Sequence, residues 1–251
     1  MQGGEKLADL FWSLRLFQTD AQTEAFLDEL TGLETAQTIS FMNAHAVNLA
    51  ARDPEFFAAL AGSDVLLRDG IGVKIGCRRL GLDPGLNLNG TDLIPRMLDR
   101  FKGKPIAVFG AEAEWLEKAT GILRGKGHHQ IIALDGFQPE EAYLAAAREA
   151  GPALIVMAMG MPKQERLAAR LKTDLAAQGV PAVIVNGGAI VDFIAGKVIR
   201  APAWIRSIGM EWAYRLAQEP ARLAERYLIG NVTFLLRTAR FQALRRPDKA
   251  A

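Results

Sequence analysis

The sequence lacks the features that stabilise small secreted proteins or anchor a chain across a bilayer. Cys77 is the one cysteine among 251 residues, so an internal disulfide is impossible and a reducing compartment is favoured. The N-terminal segment carries acidic residues and no apolar run of signal-peptide length. The longest apolar runs, such as ALIVMAMGM, are shorter than the roughly 20 residues of a spanning helix. These absences predict a soluble or peripheral protein.

Several motifs of metal and cofactor chemistry are also missing. No D-x-D occurs, so the usual pair of carboxylates for a nucleotide-bound divalent cation is absent. The three histidines do not have zinc-ligand spacing with Cys77. The chain has no G-x-S-x-G, no Walker loop and no complete G-x-G-x-x-G. We therefore expect neither a metal nor a bound cofactor.

Basic residues are concentrated at the C-terminal end. From Lys197 onward eleven basic residues face four acidic ones, a net charge of +7, which leaves −5 on the rest of a chain whose total is +2. A basic tail on an acidic body indicates an anionic partner. Phospholipid, a phosphorylated ligand and nucleic acid all meet that description, although no recognisable nucleic-acid module accompanies the tail.

Short apolar runs alternate with helical patterns up to about residue 199. This alternation predicts an α/β fold, a Rossmann-like and largely parallel sheet with helices on both faces. Ligands of such sheets bind beyond the carboxyl ends of the strands. The residues predicted at those ends are Asn43, Asp69, Gly110, Asp135, Gly160 and residues 186–188. We divide the chain into an α/β catalytic domain, residues 1–199, and a basic, Trp- and Arg-rich helical appendage, residues 200–251.

The segment LLRDGIGV places Asp69 between a predicted strand and two nearby glycines. Acids at strand ends are common, and many of them cap the following helix or lie in a turn. An acid at the binding edge of a parallel sheet can instead act as a catalytic acid or base. The local sequence leaves both interpretations open, while the missing D-x-D weakens a role as metal ligand.

Two further strand ends have features that suit an anionic ligand. Gly110 lies between a strand and a helix, where backbone N–H groups can approach a phosphate, although it can also be a simple tight turn. In MGMPKQE, Lys163 lies in the first turn of a predicted helix, where the helix dipole disfavours a cation. An anionic ligand would explain Lys163, and a solvated lysine is the alternative. Asp192 follows a third strand end, in NGGAIVDFIAG.

The C-terminal appendage has a helical rather than a strand-like pattern. Trp204, Ile208, Trp212 and Leu216 recur every four residues, which predicts one face of a single helix. A second helix is predicted to begin at Pro220 and a third near Val232. The aromatic side chains either pack on the main domain or, together with the arginines, rest on anionic lipid.

Five segments resemble a known family when they are considered together. They are LLRDGIGV, NGTDLIP, GMPKQE, VDFIAGKVIRAPAW and GMEWAYRLAQEPARLAERYLIGN. In these motifs the chain resembles the WecG/TagA/CpsF family of bacterial glycosyltransferases over residues 36–240. The resemblance implies transfer of a sugar, with inversion and without a metal, from a UDP-sugar to a polyprenyl-diphosphate-linked saccharide. It also implies work at the cytoplasmic face of the membrane, in cell-surface polysaccharide synthesis.

The resemblance also implies roles for particular residues. Asp69 corresponds to the family's proposed general base, and Asn43 and Gln164 to residues of its donor motifs. With the strand-end residues, we expect UDP-sugar binding at Asn43, Asn89, Gly110, Asp135, Gly160, Lys163, Gln164 and Asp192. We expect contact with diphosphate or lipid at Arg200, Arg206, Arg215 and Arg222.

Two departures from the family pattern leave the donor sugar open. Phe41 stands where many members have threonine, and Asn87 begins an Asn-Leu-Asn-Gly segment where the mannosaminyl branch often has Arg-Val-x-Gly. A UDP-N-acetylmannosamine or a UDP-glucose type of hexosyltransferase is expected, and the chain is compatible with a homo-oligomer. The alternatives are a catalytically altered family member, another nucleotide-binding protein such as an oxidoreductase, and a nucleic-acid-binding protein, which we disfavour.

Overall fold

A parallel β-sheet forms the centre of the protein. The computed structural model describes residues 2–244, without the side chains of residues 2, 3 and 222. Within that part all six strands pair in parallel, in the order β2-β1-β6-β5-β3-β4. The strands are β1 Gln37–Met42, β2 Val65–Arg68, β3 Ile106–Gly110, β4 Ile131–Leu134, β5 Leu154–Ala158 and β6 Val183–Asn186. The predicted α/β class is confirmed.

Helices cover both faces of this sheet. In chain order they are α1 Gln2–Trp12, α2 Asp20–Glu29, α3 Ala44–Ala50, α4 Pro54–Ala61, α5 Gly70–Arg79, α6 Gly90–Arg100, α7 Ala113–Gly125, α8 Glu140–Ala150, α9 Lys163–Ala177, α10 Ile190–Ile194, α11 Ala203–Ser207, α12 Glu211–Gln218, α13 Pro220–Ala224 and α14 Gly230–Thr238. Successive residues of β3 enter opposite hydrophobic clusters, Val108 on one face and Phe109 on the other. This alternation follows from the twofold period of a strand.

The strand order brings the polar strand ends to one edge. The connection after β3 leads outward to β4, whereas the connection after β5 leads in the opposite direction to β6. Where two neighbouring strands send the chain in opposite directions, a crevice opens between the following loops. Gly110 pairs with Ala158 at this point, so the crevice begins between the ends of β3 and β5.

The single helix predicted from Trp204 to Leu216 is wrong. The segment forms two helices, α11 and α12, which are separated at Gly209. Gly209 has φ of +75°, a left-handed conformation that cannot continue an α-helix. The four-residue spacing of the apolar side chains continues across the break, which is why the pattern alone did not reveal it.

The last described helices pack into the same hydrophobic cluster as the N-terminal helix. Residues 220–238 are helical throughout, with a π-helical turn at Glu225–Ile229 between α13 and α14. Phe234 and Phe241 are buried, and the Phe241 ring meets the Phe11 ring edge-on at 5.1 Å between centroids. Asn48 of α3 donates a hydrogen bond to the Gly230 carbonyl at 2.6 Å. Among residues 2–244, no helix is both long and apolar enough to cross a membrane.

Candidate active site

Asn43 and Asp69 meet where β1 and β2 end. Parallel pairing places Met42 opposite Arg68, so the next residue of each strand lies at the same level of the carboxyl edge. The Asn43 amide donates a hydrogen bond to Asp69 Oδ2 at 3.3 Å, and Asn43 Oδ1 accepts one from the Ala46 N–H at 3.0 Å. Asn43 is thus the N-cap of α3 as well as the partner of Asp69.

Asp69 precedes α5 at the N-cap position, yet its side chain accepts no capping hydrogen bond from the described residues. The carboxylate instead accepts the Asn43 amide at the carboxyl edge of the sheet. Burial raises the pKa of Asp69 above its ordinary value, and the Asn43 hydrogen bond opposes that rise. Arg226 and Arg215 also lower the pKa, while Glu211 raises it.

The C-terminal helices bring these three charges toward Asp69. Arg215 and Glu211 belong to α12, and Arg226 lies in the π-helical turn after α13. The Arg215 guanidinium lies 5.3 Å from the centroid of the Phe193 ring, which holds it against α10. Arg226 and Glu211 were not among the predicted site residues. Only their shared segment, rich in arginine and tryptophan, pointed to them.

Arg68 holds the loop that borders Asp69. It is buried, and its guanidinium donates hydrogen bonds to the carbonyls of Pro84 at 2.8 Å and Gly85 at 2.9 Å. In the same loop Asn87 Oδ1 accepts the Gly70 N–H at 2.7 Å. Asn87 therefore satisfies the first N–H of α5, one of the helix N–H groups that have no partner within the helix.

Asn89 and Arg200 form a polar latch between α6 and the C-terminal segment. Asn89 caps α6 and donates from Nδ2 to Asp92 Oδ2 at 2.7 Å. Asp92 forms a bidentate ion pair with Arg200, one of whose bonds measures 2.8 Å, and Arg206 approaches Asp92 to 3.6 Å. Arg200 also pairs with Glu211 at 3.4 Å. Two arginines that we predicted to contact diphosphate or lipid are thus engaged by Asp92.

Glycines shape the crevice between β3, β4 and β5. A Cβ on Gly110 would lie 2.3 Å from the Ala158 carbonyl, so this position accepts only glycine. Gly136 donates its N–H to the Ala111 carbonyl at 2.7 Å, which folds the β4 loop over the end of β3. Lys163 Nζ bonds the Gly136 carbonyl at 2.7 Å. Lys163 consequently lies at the crevice with its ammonium directed to this loop.

Gln164 lies beneath the crevice rather than within it. Its side chain is buried, and Oε1 accepts the N–H of Gly160 at 3.2 Å and that of Gly188 at 3.0 Å. Nε2 donates to Glu165 Oε1 at 2.8 Å. The structure therefore places Gln164 between the loops that follow β5 and β6, where it joins them.

The remaining predicted residues are distributed around this edge. Asp135 accepts the Phe137 N–H at 2.9 Å and the Gln138 amide at 2.8 Å, and these bonds, the Gln138 bond first, lower its pKa. Asp192 lies on α10, and its Oδ1 lies 3.9 Å from Lys197 Nζ. The Arg222 side chain lies outside the described part of the chain.

His45 is a further residue that the sequence did not identify. It lies in the first turn of α3, and burial, followed by the charges of Arg226 and Arg52, lowers its pKa to about 4. His45 is therefore neutral at physiological pH. Within residues 2–244, no group of three or more His, Cys, Asp or Glu side chains is placed to hold a metal ion.

The fold and the site define an α/β protein with polar residues along the carboxyl edge of a parallel sheet and with arginines of the C-terminal helices close to Asp69. A family model described as the glycosyl transferase WecG/TagA/CpsF family matches residues 12–249. The chain belongs to this family and is a glycosyltransferase. The match includes the residues at the strand ends and the described C-terminal helices.

Proposed function

We propose that this protein is an inverting, metal-independent hexosyltransferase. It transfers a hexose or N-acetylhexosamine from a UDP-sugar to a polyprenyl-diphosphate-linked saccharide during cell-surface polysaccharide synthesis. The observation that carries the proposal is the Asp69 carboxylate, whose pKa burial raises and which is held by Asn43 and faced by Arg215 and Arg226. A carboxylate with a raised pKa is a stronger base than an exposed one, and charges nearby suit a phosphorylated substrate.

The proposed reaction is a single displacement at the anomeric carbon. Asp69 removes the proton from an acceptor hydroxyl, and that oxygen attacks the carbon from the face opposite UDP. The bond from the anomeric carbon to the diphosphate oxygen breaks, and UDP departs with the electron pair. Asn43 orients the carboxylate, because its amide is itself fixed by the cap on α3.

The donor would extend along the carboxyl edge toward Gly160. Asp69 follows β2 and Gly160 follows β5, three strand intervals away, or roughly 14 Å. A nucleoside diphosphate sugar can bridge such a distance with its sugar near Asp69 and its nucleotide near the glycine loops. In this pose Lys163 and Arg215 supply positive charge for the departing diphosphate without a metal.

An exposed apolar stripe supports a membrane surface as the place of reaction. Ile229, Val232 and Leu236 follow the spacing of one helix face, and all three are largely exposed. Trp204 and Ile208 are also exposed, on and just after α11. We assign the stripe to the inner leaflet of the cytoplasmic membrane, where the polyprenyl acceptor resides.

The direct test is a donor panel with a short-chain polyprenyl-diphosphate-saccharide acceptor. UDP-N-acetylmannosamine, UDP-glucose, UDP-N-acetylglucosamine and UDP-uronic acids are compared by release of UDP and by product mass. Turnover with at least one donor, undiminished by EDTA, is expected. Failure of every donor would contradict the proposal, and activity that is lost in EDTA and restored by Mg²⁺ would contradict its metal independence.

The Phe41 position makes the panel informative. Phe41 is buried and packs toward Gly90 at the start of α6, so the position carries no hydroxyl group. Family members with threonine at this position have a hydroxyl group near the proposed donor site, and this protein does not. Both the glucose and the N-acetylmannosamine donors belong in the first round.

A further inference from the structure

A buried polar cluster lies beneath the glycine loops and takes no part in the proposed displacement. Glu165, only 1% exposed, accepts the Gln164 amide on Oε1. Asn186, 4% exposed at the end of β6, donates from Nδ2 to Ser40 Oγ at 2.9 Å. Ser40 and Ser63 share a hydrogen bond at 2.7 Å. The cluster thus joins α9, β6 and β1 inside the protein.

Two oxygen atoms of this cluster lack a donor. Glu165 Oε2 and Asn186 Oδ1 are both buried, and neither forms a hydrogen bond with any group in residues 2–244. Both side chains line one pocket of about 180 Å³ between α4 and α9. Two buried acceptors without a donor are costly, whereas a single shared proton satisfies both.

We infer that Glu165 is protonated in the folded enzyme, donates from Oε2 to Asn186 Oδ1, and acts as a positioning residue for the loops that bind the donor. With this proton the bonds run without interruption from Gln164 through Glu165 and Asn186 to Ser40. The inference builds on the proposed function only in its claim about donor binding.

The surroundings of Glu165 favour the neutral acid. Burial raises the pKa of Glu165 to about 7, although the Gln164 hydrogen bond opposes the rise. Besides Glu165, the charged side chain that lines the pocket is Lys172 of α9, which pairs with Asp64 at 2.6 Å. Because the Lys172 charge is compensated by Asp64, little of it remains to hold Glu165 ionised.

The consequence for function passes through Gln164. An amide can rotate by half a turn and exchange its oxygen and nitrogen, and the bond from Nε2 to Glu165 excludes that orientation. Oε1 is then held toward the N–H groups of Gly160 and Gly188, which fixes the loops after β5 and β6. Glu165 thereby shapes the donor crevice without touching the donor.

The test compares Glu165→Gln with Glu165→Ala, and Glu117→Gln is the control for the loss of one exposed carboxylate. A glutamine reproduces the protonated acid, since its oxygen can accept from Gln164 and its nitrogen can donate to Asn186. Thermal and denaturant unfolding are measured from pH 5 to pH 8 for the wild type and each variant. UDP affinity is measured in parallel by calorimetry.

The proposed proton on Glu165 predicts how the stability of the protein changes with pH. A carboxyl whose pKa is about 7 when folded and ordinary, 4.5, when unfolded loses its stabilising contribution as pH rises between these values. Relative to the wild type, the folding equilibrium of Glu165→Gln should therefore improve about ten- to a hundredfold from pH 5 to pH 8. The Glu117→Gln control should show no such trend.

The two halves of the inference fail separately. If the difference in stability between the wild type and Glu165→Gln stays constant from pH 5 to pH 8, Glu165 is not protonated as proposed. That result is expected if a water molecule donates to the two oxygens instead. UDP affinity retained within about threefold in Glu165→Gln but lost in Glu165→Ala is the expected result for positioning. Equal affinity in both variants would overturn the positioning role. If the wild type binds no UDP, the proposed function fails. The stability measurement still shows whether Glu165 is protonated.

Discussion

The Asn43 side chain connects a helix cap to the carboxylate of Asp69. Its amide nitrogen lies 3.3 Å from Asp69 Oδ2, and its oxygen lies 3.0 Å from the Ala46 nitrogen. An amide anchored at both ends has one orientation, so the carboxylate at the end of β2 has a fixed partner from β1. The relationship makes Asn43 a determinant of both the position and the pKa of Asp69.

Replacement of Asp69 by asparagine should abolish most turnover while leaving the donor bound. The amide keeps the shape of the carboxylate but cannot accept a proton, so kcat should fall by about 10²- to 10⁴-fold. UDP affinity should change little, because the proposed donor contacts of the nucleotide lie nearer Gly160. Steady-state kinetics and UDP calorimetry measure the two quantities, with the exposed Asp99→Asn as control. Normal turnover by purified Asp69→Asn enzyme would remove Asp69 from the mechanism.

Replacement of Asn43 by serine should move the acid limb of the pH profile upward. The Asn43 hydrogen bond lowers the pKa of Asp69, so its loss lets burial raise that pKa further. Serine remains a good N-cap for α3, which keeps the cost in stability small. The measurement is kcat/KM as a function of pH, because this ratio reports ionisations of the free enzyme. An acid limb at the wild-type position would show that the hydrogen bond does not tune Asp69.

The strands and the active edge of the sheet were predictable from sequence for a simple reason. Buried parallel strands are continuous apolar runs, and in all six a glycine or a polar residue lies at the last position or within two residues after it. Strand ends of a parallel sheet meet at one edge whatever their order, so Asn43 and Asp69 were predicted on the same side. Their direct contact depends on β1 pairing with β2, which the alternation alone does not specify.

The residues that the sequence did not reveal depend on long-range packing. The charge of Arg226 reaches Asp69 only because α14 packs on α3 through Phe234 and Asn48. Glu165 appears in the first turn of a helix, where an acid is ordinary, and only the folded structure shows that it is buried. The sequence left Lys163 open between an anionic ligand and a solvated lysine, and it could not show that the Gly136 carbonyl accepts a hydrogen bond from this ammonium.

Neutralising Asp92 should loosen the segment that begins at Arg200. Asp92 holds Arg200 through two bonds and lies near Arg206, so asparagine there removes the ion pairs that Asp92 forms with both arginines and leaves the pair between Arg200 and Glu211. These groups are partly exposed, and the loss should be about 1 kcal/mol or less. Limited trypsin digestion should therefore cut faster within residues 200–218 while the melting temperature changes by only a few degrees.

Asp99→Asn is the matched control for Asp92→Asn. Asp99 lies on the same helix, α6, and pairs there with Lys102 at 2.7 Å. The Asp99→Asn variant loses the same charge but keeps the contacts of Arg200, so its trypsin digestion pattern should match that of the wild type. Equal rates of trypsin digestion in the two variants would show that the ion pairs of Asp92 do not hold the C-terminal segment.

Gly110→Ala should destabilise the protein by several kcal/mol. The added Cβ would lie 2.3 Å from the Ala158 carbonyl, and φ of +132° is unfavourable for any residue with a side chain. Gly121→Ala is the control, because Gly121 lies inside α7 with open space around it and should gain up to about 1 kcal/mol. Chemical denaturation measures both. Similar stabilities for the two variants would contradict the close approach of β3 and β5.

The exposed apolar stripe, Ile229, Val232 and Leu236, should be required for binding to anionic vesicles. Truncation after residue 199 is a poor test, since it would also remove Phe234 and Phe241 from the core. The double variant Ile229→Glu and Leu236→Glu changes only exposed side chains and should leave the melting temperature nearly unchanged.

Cosedimentation with phosphatidylglycerol vesicles should fall more than tenfold in the double variant. Each apolar side chain contributes about 1.5–3 kcal/mol when fully buried, and each added carboxylate is repelled by the anionic surface. Ile122→Glu on α7 is the control, because Ile122 is exposed outside the C-terminal segment and should sediment as the wild type does. Neutral phosphatidylcholine vesicles separate the apolar contribution to binding from the electrostatic one, since the arginines bind neutral vesicles weakly. Sedimentation of the double variant equal to that of Ile122→Glu would exclude the stripe as the membrane contact.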